Sequence, residues 1–257
     1  NFSNATSQDF SKDVEAAFDH LKKDPRIAAK MVGLIGHSEG GLIAPMIAAR
    51  RNDVAFVVLL AGTGVNGREI LLSQGQSVLR AEGVMEENLL NIQRETQLAL
   101  IDTLLAATPG ATTESLVDTT MKKLSETLPD DSQHGESLKA SVTAGINRMR
   151  TPWFYFFLTH EPASQLQLVK CPVLALNGEK DVQVVPELNL PAIQAALEKG
   201  GNTNFRTIQF PAINHLFQTC TTGGPSEYQT IEETISPIVL QTITDWIKDV
   251  SLYTSTR

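Results

Sequence analysis

A short motif near the start of the chain limits its fold more than any other feature. The motif occupies 36–40 and has the sequence Gly-His-Ser-Glu-Gly, with Ser38 at its centre. An apolar run over 28–35 precedes it, and an apolar run with helical spacing over 41–51 follows it. A serine that is presented as a nucleophile in such a motif lies on a sharp turn between a strand and a helix. The sequence therefore predicts a strand over 28–35, a turn at Ser38 and a helix over 41–51.

Strand and helix patterns alternate on both sides of this motif. A helix is predicted over 7–23 from apolar residues at helical spacing, and a final helix is predicted from Ser236-Pro237 onward. Further strands are predicted over 54–60, 173–176 and 205–210, with a helix over 186–199. Strands that alternate with helices form a parallel sheet with right-handed crossovers. The predicted fold class is therefore α/β, with a parallel sheet flanked by helices.

The middle of the chain has a different character. Between 66 and 167 no segment has a strand pattern, and four stretches have the pattern of helices. These stretches are 69–81, 86–107, 114–128 and 136–148. We interpret this part as a helical cap inserted between two strands of the sheet. The predicted domains are a catalytic core formed by 1–65 and 168–257, and a cap formed by 66–167.

Composition excludes several classes of partner. The net charge is −8, and no stretch is rich in lysine and arginine, so neither nucleic acid nor an anionic membrane is an expected partner. No metal site is predicted, because His160-Glu161 lacks the second histidine of a zinc-binding helix motif. No cofactor is predicted either, since Gly62-Thr63-Gly64 is too short for a dinucleotide-binding loop. The polar first residues do not decide between the cytoplasm and export.

Three residues that can act together follow successive predicted strands. A serine attacks a carbonyl only when a base removes its proton and a third group orients that base. Asp181 follows the strand over 173–176, and His215 follows the strand over 205–210. Loops at the carboxyl ends of parallel strands open on one edge of the sheet, so these residues can meet Ser38 there. We predict Ser38 as nucleophile, His215 as base and Asp181 as the orienting acid.

Three further residues lie close in sequence to the predicted nucleophile or acid. The backbone N–H of Glu39, directly after the serine, is the predicted oxyanion-hole donor. Glu179 is an alternative to Asp181, but we interpret it as a surface or turn-stabilising carboxylate. His37 is adjacent to the nucleophile and is predicted to point away from the site.

Several segments of this chain resemble one family. The segments 31–41, 171–181 and 213–218 resemble the bacterial α/β-hydrolases of the esterase D type. The tripeptide Pro152-Trp153-Phe154 and the helix that begins at Ser236-Pro237 also resemble that family, and the similarity is least distinct in the cap. The resemblance implies an α/β-hydrolase fold and carboxylic ester hydrolysis through an acyl-enzyme. The implied partner is a small-molecule ester with a short to medium acyl group.

The aromatic run over 153–157 has two interpretations. Its side chains form the core of the cap, or some of them line an apolar pocket for the acyl group. The first interpretation is favoured for the run as a whole. Trp153, Phe154, Phe157 and His160 are the candidate pocket residues.

The N-terminal part of the chain differs from the family pattern. Only one predicted helix precedes the strand over 28–35, whereas such sheets normally contain several strands before the serine. We expect the N-terminal strands, and the loop that carries a second oxyanion donor, to be absent. The edge of the 28–35 strand would then be exposed. A separate N-terminal segment, a second copy of the chain or a rearrangement is expected to cover it.

Two alternative functions follow from these observations. An aminopeptidase-like serine peptidase would need an acid that holds the substrate amine, and Glu161 is a candidate for that role. A catalytically incomplete fragment would instead associate through the exposed strand edge.

Overall fold

The computed structural model describes residues 4–128 and 135–255, with side chains as far as Leu252. Four strands form one parallel sheet in the order β1-β2-β3-β4. The strands are β1 (Leu34–His37), β2 (Val57–Leu60), β3 (Val173–Gly178) and β4 (Phe205–Phe210). The predicted parallel sheet is therefore confirmed.

Helices cover both faces of the sheet. Alternate residues of β2 enter different hydrophobic clusters: Val57 and Leu59 pack on one face, and Val58 and Leu60 pack on the other. The first face is covered by α1 (Ser7–Lys22), α2 (Glu39–Ala48) and α9 (Pro186–Lys199), and the second by α10 (Pro237–Ser255). Burial of the central strands on both faces is typical of parallel α/β sheets, and it confirms the α/β fold class.

The described residues between β2 and β3 form helices joined by loops and contain no strand. Its helices are α3 (Gly67–Ala81), α4 (Glu87–Leu105), α5 (Thr113–Thr127), α6 (Gly135–Met149), α7 (Pro152–Thr159) and α8 (Pro162–Leu166). One cluster around Ile146 joins α4, α5 and α6, and another around Phe154 joins α3, α4, α6 and α7. Leu166 of α8 packs instead in the core beside the sheet. We call α3–α7 the helical insertion, and the domain boundaries at 66 and 167 stay a prediction.

The prediction was wrong at the first strand. Ala29–Met31 forms a 3₁₀ helix, and the strand runs over Leu34–His37 instead of 28–35. The strand is also not buried on both faces, because the Ile35 side chain is 54% exposed and His37 is exposed. Within the described sheet, β2 is the only strand that pairs with β1. A partner that covers this edge stays a prediction.

The other element bounds differ from the predicted ones by a few residues. The helix predicted over 41–51 is α2, Glu39–Ala48, and the strand predicted over 54–60 is shortened to Val57–Leu60. The last helix begins at Pro237, as predicted, with Ser236 before it. None of the described helices is both long and apolar enough to cross a membrane.

Candidate active site

The serine of the motif lies in a strained turn between β1 and α2. Ser38 has φ 53° and ψ −115°, a conformation that L-residues avoid unless the surrounding structure holds them in it. The Ser38 N–H donates to the Leu60 carbonyl at 2.9 Å, which fixes the turn to the end of β2. A side chain at Gly36 would come within 2.0 Å of the Gly40 carbonyl oxygen, so this position must be glycine. The local sequence thus forms the predicted turn with the serine at its apex.

Asp181 and His215 form a buried pair at the carboxyl ends of β3 and β4. His215 Nδ1 lies 2.9 Å from Asp181 Oδ2 and 3.1 Å from Oδ1, and both residues are less than 5% exposed. Asp181 Oδ1 also accepts the N–H groups of Gln183 and Val184, each at 2.9 Å. Because a carboxylate oxygen accepts, His215 Nδ1 donates to Asp181, and Nε2 is the ring nitrogen that can exchange a proton with another group.

The alternative acid occupies a different position. Glu179 Oε2 accepts the N–H of Ala212 at 3.0 Å, and the Glu179 side chain is exposed. The structure therefore places Asp181, and not Glu179, against the imidazole. Glu179 stabilises the turn that leads to the His215 loop.

Two side chains hold the backbone around His215. Asn214 is fully buried, and its Oδ1 accepts the N–H groups of Leu216 and Gln218 at 2.9 and 3.0 Å. His37 Nε2 lies 2.8 Å from the His215 carbonyl oxygen and, because a carbonyl only accepts, this nitrogen donates. The histidine ring is therefore supported from its own loop and from the end of β1.

The contact of His37 corrects the prediction that it points away from the site. Its ring lies 4.8 Å from the His215 ring, centre to centre, and 6.1 Å from the Phe217 ring. Although the residue as a whole is exposed, its imidazole is partly desolvated, which lowers the pKa of His37 below its usual value and favours the neutral ring. Sequence reasoning missed this residue because its position beside Ser38 gives no indication of a contact with a loop far along the chain.

Ser38 is related to His215 through the preceding residue, His37, whose side chain contacts His215. No hydrogen bond joins the Ser38 hydroxyl to the His215 imidazole among the described residues. In unliganded enzymes such bonds are often long and tighten only when substrate is bound. The structure thus pairs Asp181 with His215 and places Ser38 directly after His37, which contacts His215.

A cavity of about 440 Å³ opens beside Ser38. Trp153, Phe154 and Phe157 of α7 line it, together with Leu42 of α2 and apolar side chains of α3. The Trp153 and Phe157 rings stack, with centres 5.4 Å apart and planes within 8°. These three predicted pocket residues therefore lie at the cavity, and their contact with substrate stays a prediction.

The fourth predicted pocket residue lies elsewhere. His160 does not line the cavity, and its ring stacks on Phe156 at 4.9 Å. Its Nε2 atom is buried without a hydrogen-bond partner among the described residues, and burial lowers the pKa of this histidine. The structure therefore does not bring His160 to Ser38.

Glu39 contributes to the site through both its backbone and its side chain. It is the first residue of α2, so its N–H has no intrahelical partner and stays available as the predicted oxyanion donor. Its Oε1 atom accepts the Trp153 indole N–H at 2.6 Å and the hydroxyl of the buried Ser7 at 2.7 Å. The carboxylate thereby links the turn at Ser38 to the helical insertion and to α1. Sequence reasoning identified the N–H and missed the side chain.

The sequence of the chain matches one protein-family model. The family model described as BAAT / acyl-CoA thioester hydrolase C terminal matches residues 14–151, which is more than half of the chain. The chain belongs to this family. The match spans the Ser38 turn and most of the helical insertion, and with the parallel sheet it makes the protein an α/β-hydrolase.

The solved structures that are similar to this chain have low sequence identity to it. A proline iminopeptidase from Mycobacterium smegmatis is 17% identical, with a TM-score of 0.49 over 97% of this chain and 73% of that one. A monoacylglycerol lipase from Paleococcus ferrophilus is 17% identical, with a TM-score of 0.45 over 97% and 77% of the two chains. A thermophilic esterase from Thermogutta terrifontis is 18% identical, with a TM-score of 0.46 over 96% and 73%. No curated protein sequence matches the chain. Likenesses this distant say nothing about substrate.

Charged and metal-ligating groups are sparse at the site of this hydrolase. Glu39 and Arg148 are the charged residues among those that line the cavity, and Thr63, Gln74 and Gln183 add uncharged polar groups. The described residues contain no cluster of histidine, cysteine and carboxylate side chains that could hold a metal ion. Sequence reasoning also missed Arg148, because only the packing of α6 reveals that it reaches this cavity.

Proposed function

We propose that this α/β-hydrolase cleaves carboxylic esters with short to medium acyl groups through an acyl-enzyme. Ser38 is the nucleophile, His215 the general base and Asp181 the acid that orients it. The observation that carries the proposal is the buried hydrogen bond of 2.9 Å between His215 Nδ1 and Asp181. His37, the residue before Ser38, contacts His215, and Ser38 itself lies on a strained turn. This pairing is the arrangement that activates a serine hydroxyl.

The proposed reaction begins with proton transfer. His215 Nε2 accepts the proton of the Ser38 hydroxyl, while Asp181 stabilises the imidazolium that forms. The serine oxygen attacks the ester carbonyl, and the Glu39 N–H stabilises the resulting oxyanion. The tetrahedral intermediate collapses as the imidazolium gives its proton to the leaving alcohol. Water, activated by the same imidazole, then releases the acid from Ser38.

The cavity supports an apolar acyl group. Its volume of about 440 Å³ lies in the range of small-molecule sites. Trp153, Phe154 and Phe157 provide a wall on which an alkyl or aryl acyl chain can pack. The uncharged polar groups beside Ser38 limit how the carbonyl can be oriented.

A thioester is the second candidate substrate. The description of the matching family names acyl-CoA thioester hydrolases, and a thiolate leaves the tetrahedral intermediate through the same chemistry. The peptidase alternative has less support, because Glu161 Oε1 accepts the Asn66 side-chain N–H at 2.8 Å and does not line the cavity. The acid suggested as an amine anchor is therefore not at the site.

Parallel rate measurements test this proposal. The purified chain and its Ser38→Ala variant are compared on p-nitrophenyl butyrate, butyryl-N-acetylcysteamine and alanine p-nitroanilide. We expect turnover of the ester, slower or comparable turnover of the thioester, no turnover of the anilide, and loss of all activity in Ser38→Ala. Equal ester hydrolysis by the two proteins, or none by the folded chain, would overturn the proposal.

A further inference from the structure

The cavity beside Ser38 contains one basic side chain. The two charged residues that line it are Glu39 and Arg148. Glu39 already accepts two hydrogen bonds, from Trp153 and Ser7. Arg148 makes no ion pair with any residue that the structure describes. Among the described residues, no carboxylate therefore pairs with the Arg148 guanidinium.

Three of the four other arginines of the helical insertion have described acceptors, and the fourth, Arg94, does not line the cavity. Arg68 pairs with Asp102 at 3.3 Å, and Arg80 pairs with Glu87 at 3.1 Å. Arg150, which lies two positions after Arg148, donates to the Thr113 hydroxyl and to a backbone carbonyl, at 2.9 and 2.8 Å. Arg148 differs from these three because it lines the cavity beside Ser38 and has no acceptor among the described residues.

Arg148 also lies where two cavities meet. A second cavity of about 510 Å³ runs between α3, α4 and α6, and its wall includes Leu71, Leu100 and Gly145. Leu71 and Arg148 line both cavities. A substrate that extends from Ser38 toward the second cavity would therefore lie beside Arg148.

From these observations we infer that Arg148 is an anion-binding residue that selects esters or thioesters carrying a carboxylate or phosphate away from the scissile bond. This inference rests on the proposed function, because it places the scissile carbonyl at Ser38. A guanidinium binds a planar carboxylate through two parallel N–H donors, and an arginine without an internal acceptor is free to do so. The apolar wall of α7 then holds the part of the substrate between the two ends.

The expected effect is moderate, because Arg148 is an exposed residue and water screens its charge. We expect an anionic ligand to bind roughly five- to tenfold more tightly than its neutral counterpart. The difference should decrease as salt is added, because the charge that produces it is exposed.

A binding experiment tests the inference without turnover. The Ser38→Ala chain is titrated by calorimetry with monomethyl suberate and with dimethyl suberate, which differ in one negative charge on the acyl side. The acetyl ester of ω-hydroxyhexanoate and its methyl ester form a second pair, with the charge on the alcohol side. The pair that shows the larger preference identifies the half of the substrate that reaches Arg148.

Two further variants separate the role of Arg148 from a structural one. In the same background, Arg148→Gln should abolish the preference for the anion while leaving the affinity for dimethyl suberate within about twofold. Arg94→Gln, at an exposed arginine of α4 that does not line the cavity, should leave the preference intact. Equal binding of anionic and neutral ligands by the Ser38→Ala chain, or a preference that survives Arg148→Gln, would overturn the inference. Failure of the proposed function would appear separately, as absence of ester turnover by the unmodified chain.

Discussion

The candidate site around Ser38 has two walls that are built in different ways. On the sheet side, Asp181 and His215 are less than 5% exposed and pair with each other, and Asp181 also accepts two backbone N–H groups. On the side of the helical insertion, aromatic rings of α7 pack over the opening. The indole of Trp153 links that side to the Ser38 turn through Glu39. The chemistry should therefore depend on the first wall and the choice of substrate on the second.

Loss of the orienting carboxylate should produce the largest effect on rate. In Asp181→Asn the side-chain amide no longer fixes the Nδ1–H tautomer of His215, and we expect kcat to fall by roughly 10⁴-fold. Steady-state kinetics on p-nitrophenyl butyrate measures this change. Glu179→Gln is the matched control, since its carboxylate contacts Ala212 and not the imidazole, and its kcat should stay within about twofold. Similar losses in the two variants would mean that Asp181 has no special role.

Removal of the support behind His215 should have a smaller effect. His37→Phe keeps a ring against His215 but cannot donate to its carbonyl oxygen, which lies 2.8 Å from Nε2. Loss of one such bond corresponds to a decrease in kcat of roughly three- to tenfold. His20→Phe, on the exposed side of α1, is the control. An unchanged kcat in His37→Phe would show that the loop holds His215 without help from β1.

The link across the two walls is tested by Trp153→Phe. This variant keeps an aromatic ring to stack on Phe157 and loses the N–H that donates to Glu39 at 2.6 Å. We expect kcat/KM to fall a few-fold, roughly two- to fivefold, because the helical insertion is then less firmly fixed over the serine. Trp246→Phe, in α10, should leave kcat/KM unchanged. If KM and kcat both equal those of the wild type, the hydrogen bond between Trp153 and Glu39 does not affect the reaction.

The smallest effect concerns stability in acid. Burial lowers the folded-state pKa of His160 below its ordinary value of about 6.5, so the unfolded chain binds a proton more readily than the folded one. The contribution of the neutral His160 to the free energy of unfolding is therefore fully present above that pH. It is lost as the pH falls below that value, because the unfolded chain then binds a proton more readily. Between pH 7.5 and 5.5 we expect the Tm of the wild type to fall about 1 °C more than that of His160→Phe. Parallel curves for the two proteins would contradict this prediction, and ester turnover should be unaffected.

The sequence predicts those features that depend on local pattern and chain order. The apolar runs around 57–60 and 173–176 become central strands, because burial on both faces requires apolar residues at every position. The positions of Asp181 and His215 follow from this topology, since each comes directly after a strand.

Features that depend on contacts between distant segments could not be predicted. The run over 28–35 has the composition of a buried strand, yet its first part forms a 3₁₀ helix and Ile35 is exposed. The Glu39 side chain contacts Trp153 across 114 positions, and His37 contacts His215 across 178. Composition and spacing carry no information about such pairs. That Arg148 of α6 lines the cavity is also decided by helix packing.

Covalent labelling of Ser38 tests the central claim most directly. The folded chain is treated with a fluorophosphonate, and the modified peptide is identified by mass spectrometry. The account predicts a single adduct on Ser38 that is absent in Ser38→Ala and forms much more slowly in Asp181→Asn. A folded chain that remains unlabelled, or that is labelled at the same rate in Asp181→Asn, would contradict the claim that Asp181 and His215 activate this serine.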